Sequence, residues 1–158
     1  MKVWDVDPSA PLEALFQQVA DTRMAGLPIL NPALRVEAVG FHRAADGHWV
    51  GALVTPWSLN LLRLCGQTEG WPDLPTGAKL TWDFASGNYE FMVADEAQIG
   101  SYHLCSLFSP MSEFESHDQA RLTAEAAMAA LDEPPTQVTA QAASAPPPSR
   151  RRFLGLGA

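Results

Sequence analysis

His103 and Cys105 stand two apart in an apolar run, the spacing that turns both side chains to one face of a β-strand. Imidazole nitrogen and thiolate sulfur are ligands that zinc and iron prefer, and Cys65, His42 or His117 could add a third. A tetrahedral site needs about four ligands, and no CxxC or similar close spacing is present to assemble them, so no metal and no cofactor are expected. Cys105 is equally a poor nucleophile with His103 as base, since neighbours two apart on a strand do not converge unless the chain bends. Asp95-Glu96, and Glu113 with Glu115, are paired carboxylates of the kind acid–base chemistry uses, but loop carboxylates are ordinarily just solvated. No GxSxG elbow, P-loop, GxGxxG fingerprint or HExxH helix occurs. Their absence removes the common routes to catalysis but does not by itself exclude it.

Charge indicates what it binds. All 18 acidic residues and seven of the ten basic ones lie in residues 1–133, a net of −11, while residues 134–158 carry three arginines and no acid, a net of +3. The basic end reads Ser149, Arg150, Arg151, Arg152, Phe153, Leu154, matching the SRRxFL core of a twin-arginine export signal. Such signals are N-terminal and are followed by an apolar stretch and a cleavage site. Only Gly155, Leu156, Gly157 and Ala158 follow Leu154, so this copy is not expected to export the chain. An acidic body with a basic tail of this kind suggests a body that binds basic peptides and a tail that imitates one.

Aromatic and proline residues cluster where strands should end: Trp57 after Thr55-Pro56, Trp71 before Pro72, and Phe108-Ser109-Pro110-Met111. Trp and Met are favoured anchors at peptide-binding surfaces. The expectation is one apolar groove built from Trp57, Trp71, Phe108, Pro110 and Met111, with Asp46, Asp73, Asp95 and Glu96 as loop acids that receive arginine. Planar guanidinium groups match carboxylates bidentately, so lysine should replace them poorly.

The elements that must position these residues follow from periodicity. Leu12, Leu15, Phe16, Val19 and Ala20 fall at helical spacing, which predicts a helix over 11–24, capped by Ser9 and ended by Gly26 and Pro28. Strands are predicted at 35–44 and 48–55 around an Asp46-Gly47 turn, then at 58–65, 78–84, 89–94 and 101–108. Between the third and fourth runs GQTEGWPDLPTG is a loop, because proline offers no N–H to a ladder. Ser116 with Gln119 makes a capping box and opens a helix over 117–131. The predicted fold is α+β, a mostly antiparallel sheet of about six strands with an N-terminal and a C-terminal helix packed on one face.

Three segments are expected: a globular domain over 1–133, a Pro/Ala/Gln-rich linker over 134–148, and the basic tail over 149–158. The linker composition cannot bury enough surface to offset its ordering entropy and reads as disordered. A flexible chain of its length spans roughly 20 to 25 Å, against a body radius of gyration of about 14 Å. Hydrophobic residues at 47% with ordinary charge density describe a soluble domain. The acidic N-terminus lacks the apolar run of an export signal and no stretch reaches membrane-spanning length, so a cytoplasmic protein without stable membrane insertion is expected. A net charge of −8 argues against nucleic acid as a partner.

TPWxL at Thr55–Leu59, LPTG at Leu74–Gly77, CSLFSPM at Cys105–Met111 and RRRFLG at Arg150–Gly155 resemble the HybE, HupJ and HoxT family of accessory proteins for [NiFe]-hydrogenase assembly. The resemblance runs from about residue 12 to 131 and resumes at the tail. It implies a non-enzymatic cytosolic chaperone that binds hydrogenase precursors, the signal peptide of the small subunit or the large subunit, and delays twin-arginine export until cofactor insertion is complete. Other maturation proteins are possible partners. Some relatives carry a rubredoxin domain, which this chain lacks, and its long linker departs from the shorter family forms. Two alternatives stay open: a thiol-redox or metal-handling maturation factor using Cys65 and Cys105, and a structural subunit retained in the complex.

Overall fold

An apolar run with no polar face can sit in a sheet only where both faces are covered. Trp49–Val54 is such a run, every residue of it buried, and Leu59–Leu64 nearly so. In the computed structural model, which describes residues 2–134, these two form the middle of one half of a six-stranded sheet. The strands are β1 (Glu37–Arg43), β2 (Trp49–Val54), β3 (Leu59–Leu64), β4 (Lys79–Phe84), β5 (Gly87–Glu96) and β6 (Gly100–Phe108), flanked by helices α1 (Ser9–Asp21) and α2 (His117–Leu131). The sheet order is β1-β2-β3-β6-β5-β4, with every neighbouring pair antiparallel. The expected α+β class and strand number hold.

The helices do not share a face. On β2, Val50, Ala52 and Val54 point with Leu59, Leu61 and Phe91 toward Ala120, Ala124, Met128 and Leu131 of α2. Their neighbours Trp49 and Leu53 point with Leu62, Leu64 and Tyr102 toward Leu12, Leu15 and Val19 of α1. Strand side chains alternate, so a strand apolar at every position needs a cover on each side, and the single-face arrangement expected from sequence would have left one set of these residues in water.

The ends of α1 also differ from expectation. Its N-cap position is Pro8, and Asp7 supplies the capping carboxylate, accepting from the backbone N–H of Ser9 at 2.8 Å and from its hydroxyl at 2.6 Å. The helix ends at Asp21, before Gly26, with Thr22 Oγ1 donating to the Gln18 carbonyl at 2.7 Å. Ser116 caps α2 as expected, its Oγ accepting from Gln119 N–H at 3.2 Å, but the reciprocal bond of the box falls one residue earlier, with Gln119 Oε1 accepting from Glu115 N–H rather than that of Ser116. At the β1–β2 turn Gly47 has φ +87°, which glycine adopts without a Cβ penalty, and Asp46 Oδ1 accepts from His48 N–H at 3.0 Å. The linker beyond Pro134 and the tail at 149–158 lie outside the described residues.

Candidate partner-binding surface

Arg63 interrupts the apolar run of β3 and is 1% exposed. A buried guanidinium must be paired and hydrogen-bonded. It donates to both carboxylate oxygens of Asp46 at 2.8 and 3.0 Å and to the carbonyls of His48 and Trp49. Its planar face lies 4.5 Å from the Trp82 ring. Burial by itself would raise the Asp46 pKa, but the hydrogen bonds from Arg63 and His48 N–H and the guanidinium charge together hold it below the usual value.

Strand register places His103 opposite Arg63. Trp82 Nε1–H donates to His103 Nδ1 at 2.9 Å, so the imidazole proton sits on Nε2. Trp71, brought in by the Gly/Pro-rich loop, stacks on His103 at 4.2 Å with 9° between planes and meets His48 edge-on at 5.0 Å. His48 Nδ1 accepts from Gly66 N–H at 3.1 Å. Burial, with the nearby Arg63 charge and the repulsion of a second imidazolium at His48, pushes the His103 pKa down to about 4, and burial likewise lowers that of His48. Both imidazoles are therefore neutral near pH 7. Nε2 of both His48 and His103 is buried with no hydrogen-bond partner among the described residues.

The other ligand candidates are dispersed. His117 Nε2 bonds Glu37 at 2.7 Å and its Nδ1 accepts from Arg35 N–H, while His42 Nδ1 is 2.9 Å from the Gly40 carbonyl. Cys65 is buried, its Sγ donates to the Gln67 carbonyl at 3.0 Å, and burial pushes its thiol pKa up. Cys105 lies opposite Leu61, four residues along β3 from Cys65, a separation of roughly 13 Å. A disulfide requires Cα atoms within about 7 Å, so this fold does not hold the two as a redox pair. Among the described residues no three His, Cys, Asp or Glu side chains gather as a metal site.

The open surface is elsewhere. Helix α2 lies over β1 and β2, leaving a groove of about 530 Å³ between its other side and β3, β5 and β6. Leu61, Tyr89, Leu107 and Phe108 form its floor and Leu122, Ala126 and Ala130 its helical wall. The small alanines set its width, and Leu122 at its rim is 61% exposed. Asp118, Leu122 and Glu125 follow at i, i+4, i+7 along the exposed flank. Residues 111–134 carry six acids against one arginine, Arg121, which is itself 2.8 Å from Asp118 and 3.8 Å from Glu37. The groove is thus apolar inside and acidic around the helix that borders it.

The residues nominated from sequence do not converge on one place. Phe108 lines this groove, edge-on to Phe114 at 5.3 Å. Pro110 lines a separate depression of about 440 Å³ formed with Pro28–Pro32, Ser112 and Phe114. Met111 is fully enclosed in the core under α2, and Trp71 is held against His103. Trp57 packs with the α1 side, across the sheet from Phe108. The single groove of Trp57, Trp71, Phe108 and Met111 is corrected accordingly: Trp57, in the turn between β2 and β3, packs into the core on the α1 side, while Phe108 at the end of β6 packs on the α2 side. Of the acids, Asp46 holds Arg63 and Glu96 holds Arg23 through both oxygens at 3.0 Å, whereas Asp73 and Asp95 are exposed. Sequence reasoning missed Leu122 and the α2 alanines; the signal was there in Leu122, Ala126 and Ala130 repeating every four residues on the side away from the buried Ala120, Ala124 and Met128.

Residues 7–156 match the family described as "[NiFe]-hydrogenase assembly, chaperone, HybE", a span that takes in the arginine-rich segment at 149–155. The chain is 41% identical to the protein HoxT of Cupriavidus necator, over 95% of this chain and 89% of that one. It is 40% identical to the hydrogenase expression/formation protein HupJ of Bradyrhizobium diazoefficiens, over 90% and 84%. The solution structure of HybE from Escherichia coli superposes with a TM-score of 0.68 at 25% identity, covering 83% of this chain and 80% of that one.

Proposed function

The chain belongs to the HybE family of [NiFe]-hydrogenase assembly chaperones, and on that premise we propose that it is a non-enzymatic cytoplasmic chaperone binding the twin-arginine signal peptide of a hydrogenase small-subunit precursor. Holding that peptide delays export until cofactor insertion is complete. The observation that carries this reading is the groove beside α2, where an apolar wall at Phe108 and Leu122 adjoins a segment with six acids and one arginine. A twin-arginine signal has the complementary parts: paired guanidinium groups for carboxylates, and Phe/Leu positions followed by an apolar stretch for the groove. Among the described residues no helix is long and apolar enough to cross a membrane.

Calorimetric titration of a small-subunit signal peptide into the full-length protein tests the reading. Saturable binding that weakens on replacing the arginine pair by lysine, and on Leu122→Asp in the protein, supports it. Leu122 is exposed, so its replacement perturbs the surface with little cost to folding. Absence of binding overturns it and moves the client contact to the folded large- or small-subunit precursor.

A further inference from the structure

We propose that the groove beside α2 is the docking site of this chain's own C-terminal segment, with Phe153 and Leu154 seated between Phe108 and Leu122 and Arg150–Arg152 among the acids of α2. The groove begins where the described chain ends. Leu131, the last residue of α2, lines it, and the sequence continues past Pro134 for 24 residues.

Phe153 is the sole aromatic residue in those 24, and it stands directly after three consecutive arginines with no acid anywhere in the segment. Both features have their counterparts here: an apolar channel whose rim leucine is 61% exposed, and a bordering segment with six acids and one arginine. Reach is sufficient. Eighteen residues lie between Pro134 and Phe153, and a flexible polymer of that many residues would span roughly 23 Å, against about 14 Å for α2 from Leu122 to Leu131. Alternation of small and large residues fits an aromatic insert: Ala126 and Ala130 leave the space that Phe108, Leu107 and Leu122 enclose.

Tethering makes a weak contact effective. A linker of this length gives an effective concentration on the order of a millimolar, so a segment of about millimolar intrinsic affinity fills the groove half the time and weakens a competing peptide about twofold. The competition with a signal peptide rests on the function proposed above; the docking itself does not.

A full-length chain carrying the photo-crosslinker p-benzoylphenylalanine in place of Phe153, analysed by mass spectrometry, tests the docking. The expected result is cross-links within one chain to peptides holding residues 104–108 or 122–131, lost in the Leu122→Asp background. Cross-links to other surfaces, cross-links formed only between differently isotope-labelled copies, or none at all overturn the proposal. In parallel, Phe153→Ser/Leu154→Ser in the full chain should tighten signal-peptide binding about twofold. Groove cross-links with unchanged peptide affinity leave the docking standing and remove the signal peptide from this groove. Peptide binding without groove cross-links does the reverse.

Discussion

Arg63 carries a full charge into the interior of β3, and what makes this tolerable is Asp46, seventeen residues away in the β1–β2 turn. Asp46→Ala would leave a buried guanidinium bonded only to the carbonyls of His48 and Trp49, and urea unfolding should show a loss of about 2–3 kcal/mol. Replacing both charges, as in Arg63→Met/Asp46→Leu, should cost less than Asp46→Ala alone, because no unpaired charge is left buried. The pH dependence separates two groups of the same cluster. Asp46 has a lowered folded pKa, so its contribution is complete above the unfolded value near 4 and is lost only as pH falls below it. His103 is a base with a lowered folded pKa of about 4 against 6.5 unfolded, so the unfolded chain takes up its proton first. Stability from His103 is therefore full above pH 6.5 and falls by about 3 kcal/mol between pH 6.5 and 4. His103→Asn, whose Oδ1 keeps an acceptor for Trp82 Nε1–H, should flatten that limb of the stability curve, leaving a smaller slope from His48. An unchanged slope would mean that His103 is not the titrating group.

At the scale of elements, the boundaries of α2 and of the strands were legible because their determinants are local: Ser116 with Gln119 at the cap, Asp46-Gly47 at the turn, proline where the ladder stops. Ser116→Ala should cost about 1 kcal/mol in thermal or urea unfolding, since α2 loses the acceptor for Gln119 N–H. Gly66→Ala should cost more, about 1–3 kcal/mol, because a Cβ there would overlap the Gly47 carbonyl oxygen in the neighbouring turn. What could not be read were facts that depend on pairing between distant segments. The junction of β3 with β6 brings His103 beside Arg63, and the long loop then lays Trp71 over His103 and against His48. Nothing local to Trp71-Pro72 distinguishes a tryptophan that closes a buried cluster from one displayed at a surface. Arg63 within LNLLRL was the available sign that an acid must reach it from elsewhere, and Asp46, nominated among the loop acids to receive a client's arginine, binds this internal one instead. The candidate groove was partly legible, through Phe108, because the strand end is marked by Ser109-Pro110. Its other wall depended on which flank of α2 faces β1 and β2, and that is fixed only once the sheet is assembled.

At the scale of the molecule, charge and apolar surface are divided in a way that should separate the two rates of client binding. In the proposed complex with a signal peptide, the net of −11 over residues 1–133 would act at long range on the cationic peptide, and Leu122, Leu107 and Phe108 only after contact. Surface charges chiefly steer encounter, and buried apolar contacts chiefly set the lifetime of the complex. Raising salt from 50 to 500 mM shortens the Debye length from about 14 to about 4 Å. It should therefore slow association of a signal peptide several-fold while changing its dissociation rate little. Leu122→Asp adds a negative charge and removes apolar surface, so the two effects oppose each other in affinity but not in kinetics. Association should be unchanged or slightly faster, and dissociation should speed up by about tenfold, the equivalent of roughly 1.4 kcal/mol for losing most of a leucine side chain's contact. Stopped-flow fluorescence with a labelled peptide reads both rates. A Leu122→Asp protein with slower association and unaltered dissociation would place the apolar contact away from α2, and with it the groove's part in holding the client.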